Sequence, residues 1–168
     1  MVNNGETLIW EYVDGSDHHH YVLKQGETII SQLHFAHTKD YDAIVELAGE
    51  RFFIEKHLTM PYHLILRKEG SSTELARFDA DLQATGKLTL ADGRVFSWEH
   101  PNAFVPEWYF ADASGQPVTS VKAQFDFKRP HGIATIQQSV APDAAVLATL
   151  GYYIVIITNL YPSYFFSR

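Results

Sequence analysis

The sequence predicts a closed antiparallel β-barrel of about twelve short strands around one apolar C-terminal helix, within a single domain spanning residues 1–168. Three observations predict it. Glycine-marked turns recur at Gly26, Gly49, Gly70, Gly93 and Gly115, at intervals of 23, 21, 23 and 22 residues. The segments between them are rich in β-branched and aromatic residues, and several alternate apolar with polar positions. The stretch Pro142–Thr158, PDAAVLATLGYYIVIIT, holds a single charge, Asp143, and has no polar face when wound as a helix.

The glycine interval is the length of two short strands plus two turns, so the chain reads as serial hairpins. Glycine at these points supplies the positive φ that tight hairpin turns require. The strands expected between the turns are 7–13, 21–24, 28–35, 43–47, 51–57, 63–67, 74–78, 87–90, 95–99, 108–111, 118–127 and 133–138. Lys87-Leu88-Thr89-Leu90 and Val121-Lys122-Ala123-Gln124-Phe125-Asp126-Phe127 alternate, which buries one face and wets the other. In the hairpin over 87–99, a two-residue loop would set Leu90 opposite Val95 and throw Phe96 and Trp98 to the wrong face. A three-residue loop around Gly93 aligns Leu88 and Leu90 with Trp98 and Phe96 and is the better expectation, because one-sided burial specifies register. Trp10, Trp98 and Trp108 each adjoin a glutamate, so alternation buries the indole and exposes the acid.

The helix is expected over about 142–158, followed by a tail over 159–168. Pro142 suits the first helical turn and Asp143 the positive end of the helix dipole. Val146, Leu147, Leu150 and Ile154 fall on one side, and Ala145, Ala148, Tyr152 and Val155 on others. A helix apolar all round must be surrounded by protein or by lipid. Its strongly apolar part, Ala144–Ile157, is 14 residues. Runs of about 10–14 are more often core helices than membrane spans. The β-branched run Ile154-Val155-Ile156-Ile157 makes a strand over 152–158 one alternative, and a membrane anchor is the other. Twelve strands of this length strain as an open sheet, and closure removes the edges. The lone helix then belongs inside the barrel, where it would fill the interior and leave no room for a ligand.

Composition narrows the function. The net charge of −7 and pI near 5.6 argue against a nucleic-acid partner, which needs a basic face. The chain has no cysteine, which excludes disulfides, thiol catalysis and cysteine metal sites and fits a reducing, cytoplasmic setting. The start, MVNNGETLIWEYVDG, lacks a basic segment followed by an apolar run, so no signal peptide is expected.

Candidate chemistry is sparse. On a strand, His18 and His20 of the run His18-His19-His20 would share a face, with Asp14 and Asp17 close by; a polar loop is the plainer reading. His34 and His37 would point to opposite faces of a strand. His57 and His63 would face each other across a hairpin turning about Met60-Pro61. Two imidazoles are half a zinc site, and no third ligand is evident. The carboxylate pairs Asp40/Asp42 and Asp79/Asp81 sit at strand ends, where Asp is locally favoured. No nucleophile elbow, phosphate loop, dinucleotide fingerprint or His-Glu-x-x-His occurs, and no cofactor is called for.

The turns at Gly49, Gly70, Gly93 and Gly115 and the terminal DAAVLATLGYYIVII together resemble the tubby-like fold. That fold is shared by tubby C-terminal domains, phospholipid scramblases and the LURP-one-related proteins. The resemblance covers about Thr7 to Ile157 and is one of architecture. It implies a non-enzymatic, cytoplasmic, membrane-peripheral module that binds a phospholipid headgroup or a protein partner, or serves as a scaffold. Tubby domains hold phosphoinositide in a basic pocket, and the nearest basic group here is Lys56, Arg67 and Lys68; the acidic net charge departs from that pattern. Two other functions fit the residues: a lipocalin-like carrier of a small apolar ligand, and a barrel hydrolase or isomerase using His57, His63 or Asp79.

Overall fold

The computed structural model describes residues 5–13, 19–36, 38, 40–57, 59, 61–81, 85–124, 131–137 and 144–160. Twelve strands form one antiparallel meander: β1 (Thr7–Tyr12), β2 (His20–Gln25), β3 (Thr28–Phe35), β4 (Ala43–Leu47), β5 (Glu50–His57), β6 (His63–Lys68), β7 (Glu74–Ala80), β8 (Gly86–Leu90), β9 (Val95–Glu99), β10 (Glu107–Ala111), β11 (Pro117–Gln124) and β12 (His131–Ile136). Each strand pairs with its neighbours in sequence, and β1 pairs with β12, so the barrel closes and no edge is left. Helix α1 (Ala144–Val155) follows and continues as a π-helical turn, Ile156–Leu160. A strand over 152–158 is therefore ruled out. Among the described residues no helix is long and apolar enough to cross a membrane. Pro142 and Asp143 lie outside the described residues, as do Phe125 to Phe127, expected at the end of β11, and Gln138, expected at the end of β12.

The period-two pattern decides which face is core. Leu8 and Trp10, Tyr21 and Leu23, Leu33 and Phe35, and Phe52 and Ile54 all point inward and are buried. Trp98, Trp108 and Phe110 do the same on the other wall, and the glutamate beside each tryptophan stays partly exposed. The 86–99 hairpin has the three-residue loop and the one-sided burial. Its pairs are Leu88 with Phe96 and Gly86 with Trp98, two residues from the expected alignment, and Leu90 closes the loop against Arg94. Gly93 at φ 89° makes that loop feasible.

All of α1 except Ala145 and Val146 is buried within the barrel. Trp10 stacks on Tyr152 with ring centroids 4.6 Å apart, and Phe35 stacks on Tyr153 at 5.4 Å. The backbone of α1 comes nearest to two arcs of the barrel. Its nearest strands are β10, β11, β12, β3 and β4. Gly151 explains the approach on one side: a Cβ there would lie 3.0 Å from Val121 Cγ2 and 3.2 Å from Trp98 Cζ3. At 100° per residue, Ala144 and Ala148 share that side, so small side chains let the axis move toward the wall. Space remains beside the helix on the β4 to β8 side, so, contrary to expectation, the interior is not completely filled.

Candidate functional site

The space is a cleft of about 440 Å³ between α1 and the wall formed by β4 to β8. Val146, Thr149 and Leu150 form its helical side, opposite Gly151 on the helical wheel. Val45 and Leu47 of β4, Phe52 of β5, Leu66 of β6, Leu75 of β7 and Leu90 of β8 form the strand side. Ala48, Glu50, Ala91 and Asp92 stand at the mouth and are exposed. The glycine rhythm places this mouth. An interval of two strands and two turns returns the chain to the same end each time, so the turns at Gly26, Gly49, Gly70, Gly93 and Gly115 all lie at one end of the barrel, where α1 begins.

The rim is charged but internally compensated. Lys68 pairs with Glu50 at 2.5 Å, Arg51 with Glu69 at 2.8 Å, and Arg94 with Asp92 at 2.7 Å. The Arg94 side chain, by its hydrogen bond, holds the Asp92 carboxyl below the usual carboxylate range. Inside the mouth, Thr149 is the one polar side chain on the lining among the described residues, and it is satisfied. Its hydroxyl donates to the Ala145 carbonyl at 2.7 Å and accepts from Ser31 Oγ at 2.9 Å. The cleft therefore offers apolar contact, with little to recognise a charged group.

Lys56, Arg67 and Lys68 are not brought together. Lys56 follows Phe52 and Ile54 in the inward register, so its ammonium lies inside the barrel, 3.5 Å from Asp42 Oδ1. Asp42 is itself buried, and its Oδ2 accepts from the Tyr153 hydroxyl at 2.6 Å. Arg67 is on the outer surface, 2.7 Å from Glu55 and 3.7 Å from Glu74. Lys68 alone stands at the cleft mouth. The carboxylate pairs also separate: Asp42 is buried while Asp40 is exposed, Asp79 accepts from Arg77, and Asp81 accepts from the Thr85 backbone.

His57 and His63 do face each other across β5 and β6, with parallel rings 4.5 Å apart. Asp79 follows them in the same row, opposite His63 on β7. Met60 of the turn between β5 and β6 lies outside the described residues, as do His18, His37, Asp14 and Asp17. Sequence reading missed a second imidazole pair, His20 on β2 against His34 on β3, with rings 3.9 Å apart. Both pairs lie at the end of the barrel opposite the cleft, and so do all the other described histidines, His19, His100 and His131. Among the described residues no three His, Asp or Glu side chains converge as a closed metal centre. The chain matches no family model, no curated protein and no solved structure.

Proposed function

We propose that this protein is a non-enzymatic binding module of tubby-like architecture that takes a small apolar molecule, or the acyl chain of a lipid, into the cleft beside its helix. The observation that carries the reading is the cleft: about 440 Å³, apolar on both walls and open at one end. That volume falls within the range of roughly 300–1,000 Å³ typical of small-molecule sites. The dispersal of Lys56, Arg67 and Lys68 favours an apolar ligand over a phosphoinositide headgroup, which needs converging cations. The tubby-like resemblance supports a cytoplasmic, membrane-peripheral setting, where such ligands are found.

The test is a titration of the full chain with cis-parinaric acid, read by its fluorescence, followed by displacement with a saturated fatty acid. Saturable binding of one probe per chain is expected. Val146→Trp, which fills the cleft from a partly exposed position, should weaken it by at least about tenfold. Binding that is absent, or indifferent to Val146→Trp, would sink the proposal. A parallel titration with phosphoinositide vesicles that responds to Lys68→Glu would instead favour the headgroup reading.

A further inference from the structure

The mouth of the cleft holds the one non-glycine residue at positive φ among the described residues. Ala48 has a φ of 53°, and every other described residue in that region is a glycine. Ala48 and Gly49 are the two central residues of the turn that joins β4 to β5, with Leu47 paired to Glu50 at its base. Positive φ at both positions is the pattern of a type I′ hairpin, which favours Asn-Gly or Gly-Gly. An alanine there is strained, because its Cβ crowds a carbonyl oxygen. The strain is not general to this end of the barrel. In the other turns Gly26, Gly70, Gly93 and Gly115 take the positive φ.

Strain of this kind persists where the surrounding structure holds it, and it gathers at ligand sites. Ala48 lines the cleft, and Ala91 lines it from the turn after β8. Glu50 and Asp92 stand beside these alanines and are paired with Lys68 and Arg94, so the two methyl groups are the apolar part of the rim. On β4 the lining runs from Val45 to Ala48, about 10 Å at the rise of a strand. A long alkyl chain exceeds that depth and must cross the rim. Resting on the apolar-ligand reading above, we propose that Ala48 is a specificity-determining residue of the cleft. With Ala91 it makes an apolar lip over which the chain of a long single-tailed amphiphile leaves the cleft, with the polar head outside. An unstrained Asn-Gly turn would set an amide on that lip.

The experiment is displacement of cis-parinaric acid by hexadecanoic acid and by octanoic acid from the native full chain, Ala48→Asn and Ala48→Gly. Each constant is corrected for the probe's own affinity in that chain. Both variants relieve the turn, so each should raise the Tm by about 2–4 °C. Ala48→Asn should weaken hexadecanoic acid by at least about fivefold and leave octanoic acid within about twofold, because the shorter chain ends below the rim. Ala48→Gly removes the methyl without adding an amide and should weaken hexadecanoic acid less. Weakening of both acids alike, or of neither, would overturn the lip. A lower Tm in both variants would do the same, since the turn would then carry no strain. If the native chain takes up no cis-parinaric acid, the cleft reading fails and the lip with it. If Val146→Trp weakens both acids while Ala48→Asn spares both, only the lip fails.

Discussion

At the residue scale, the contact with most leverage joins Asp42 to Tyr153 across 111 positions of sequence. The tyrosine hydroxyl donates to a carboxylate inside the barrel, and Lys56 supplies the opposing charge. Hydrogen bonds to charged groups contribute about 1.5–3 kcal/mol net. Tyr153→Phe keeps the ring on Phe35 and removes only the hydroxyl, so it should cost about that much in denaturant unfolding. It should also change the response to alkali. Burial, reinforced by the negative charge of Asp42, raises the Tyr153 pKa well above its ordinary value of 10.0. The folded protein then keeps this proton where the unfolded chain releases it. Its contribution is fully present below about pH 10 and is lost as pH rises above that value. A Tm series from pH 8 to 12 should fall above pH 10 in the native chain and fall less steeply in Tyr153→Phe. Equal slopes would show that another group governs alkaline unfolding. Little of this was legible in the sequence. Asp42 reads as a turn aspartate, because nothing local ties it to a tyrosine near the other terminus. The inward aim of Lys56 was legible, since Phe52, Ile54 and Lys56 share a parity, and a charge at the end of an apolar row is easily taken for a surface residue.

At the element scale, the helix combines two demands on one surface. Its Ala144, Ala148 and Gly151 side lets it approach the wall, and its Val146, Thr149 and Leu150 side faces the cleft. Gly151 is costly in propensity, roughly 1 kcal/mol against alanine. Gly151→Ala therefore poses a direct contest. The added methyl would meet Val121 and Trp98, both buried and fixed by the strands around them. Overpacking costs about 1–3 kcal/mol, so crowding should win and the variant should lose up to about 2 kcal/mol. Chemical denaturation measures this. A gain of about 1 kcal/mol would mean that the helix has slack and that the cleft can shrink to take it up. The small-residue spacing at i, i+4 and i+7 is visible in the sequence, and it signals close packing along one line. What it does not disclose is which wall is approached, because that depends on the closed barrel. The interior is not completely filled beside β4 to β8 for the same reason: apolarity all round shows that a helix is enclosed, not how closely each wall packs against it.

At the scale of the whole molecule, the glycine interval read as serial hairpins matches the meander, because two strands and two turns form a geometric unit that returns the chain to one end. Closure itself joins β1 to β12, the most distant pair in the sheet. It must wait for long-range pairing, so folding should be slow relative to a helical protein of similar size. The helix then follows the last strand and enters a barrel whose inner wall carries Trp10, Tyr21, Trp98 and Phe110. Without the helix these rings would line a wet lumen. Burial of one large apolar side chain contributes about 1.5–3 kcal/mol, and a domain's net stability is about 5–15 kcal/mol. Exposing a handful of them is enough to remove the folded state. A chain ending at residue 139 should accordingly be insoluble or melt without a cooperative transition, while the full chain melts sharply in the same buffer. If the shortened chain melts as sharply and at the same temperature, the strands carry their own core. The helix would then be an accessory, and the ligand space would be the whole lumen in place of the cleft at its side.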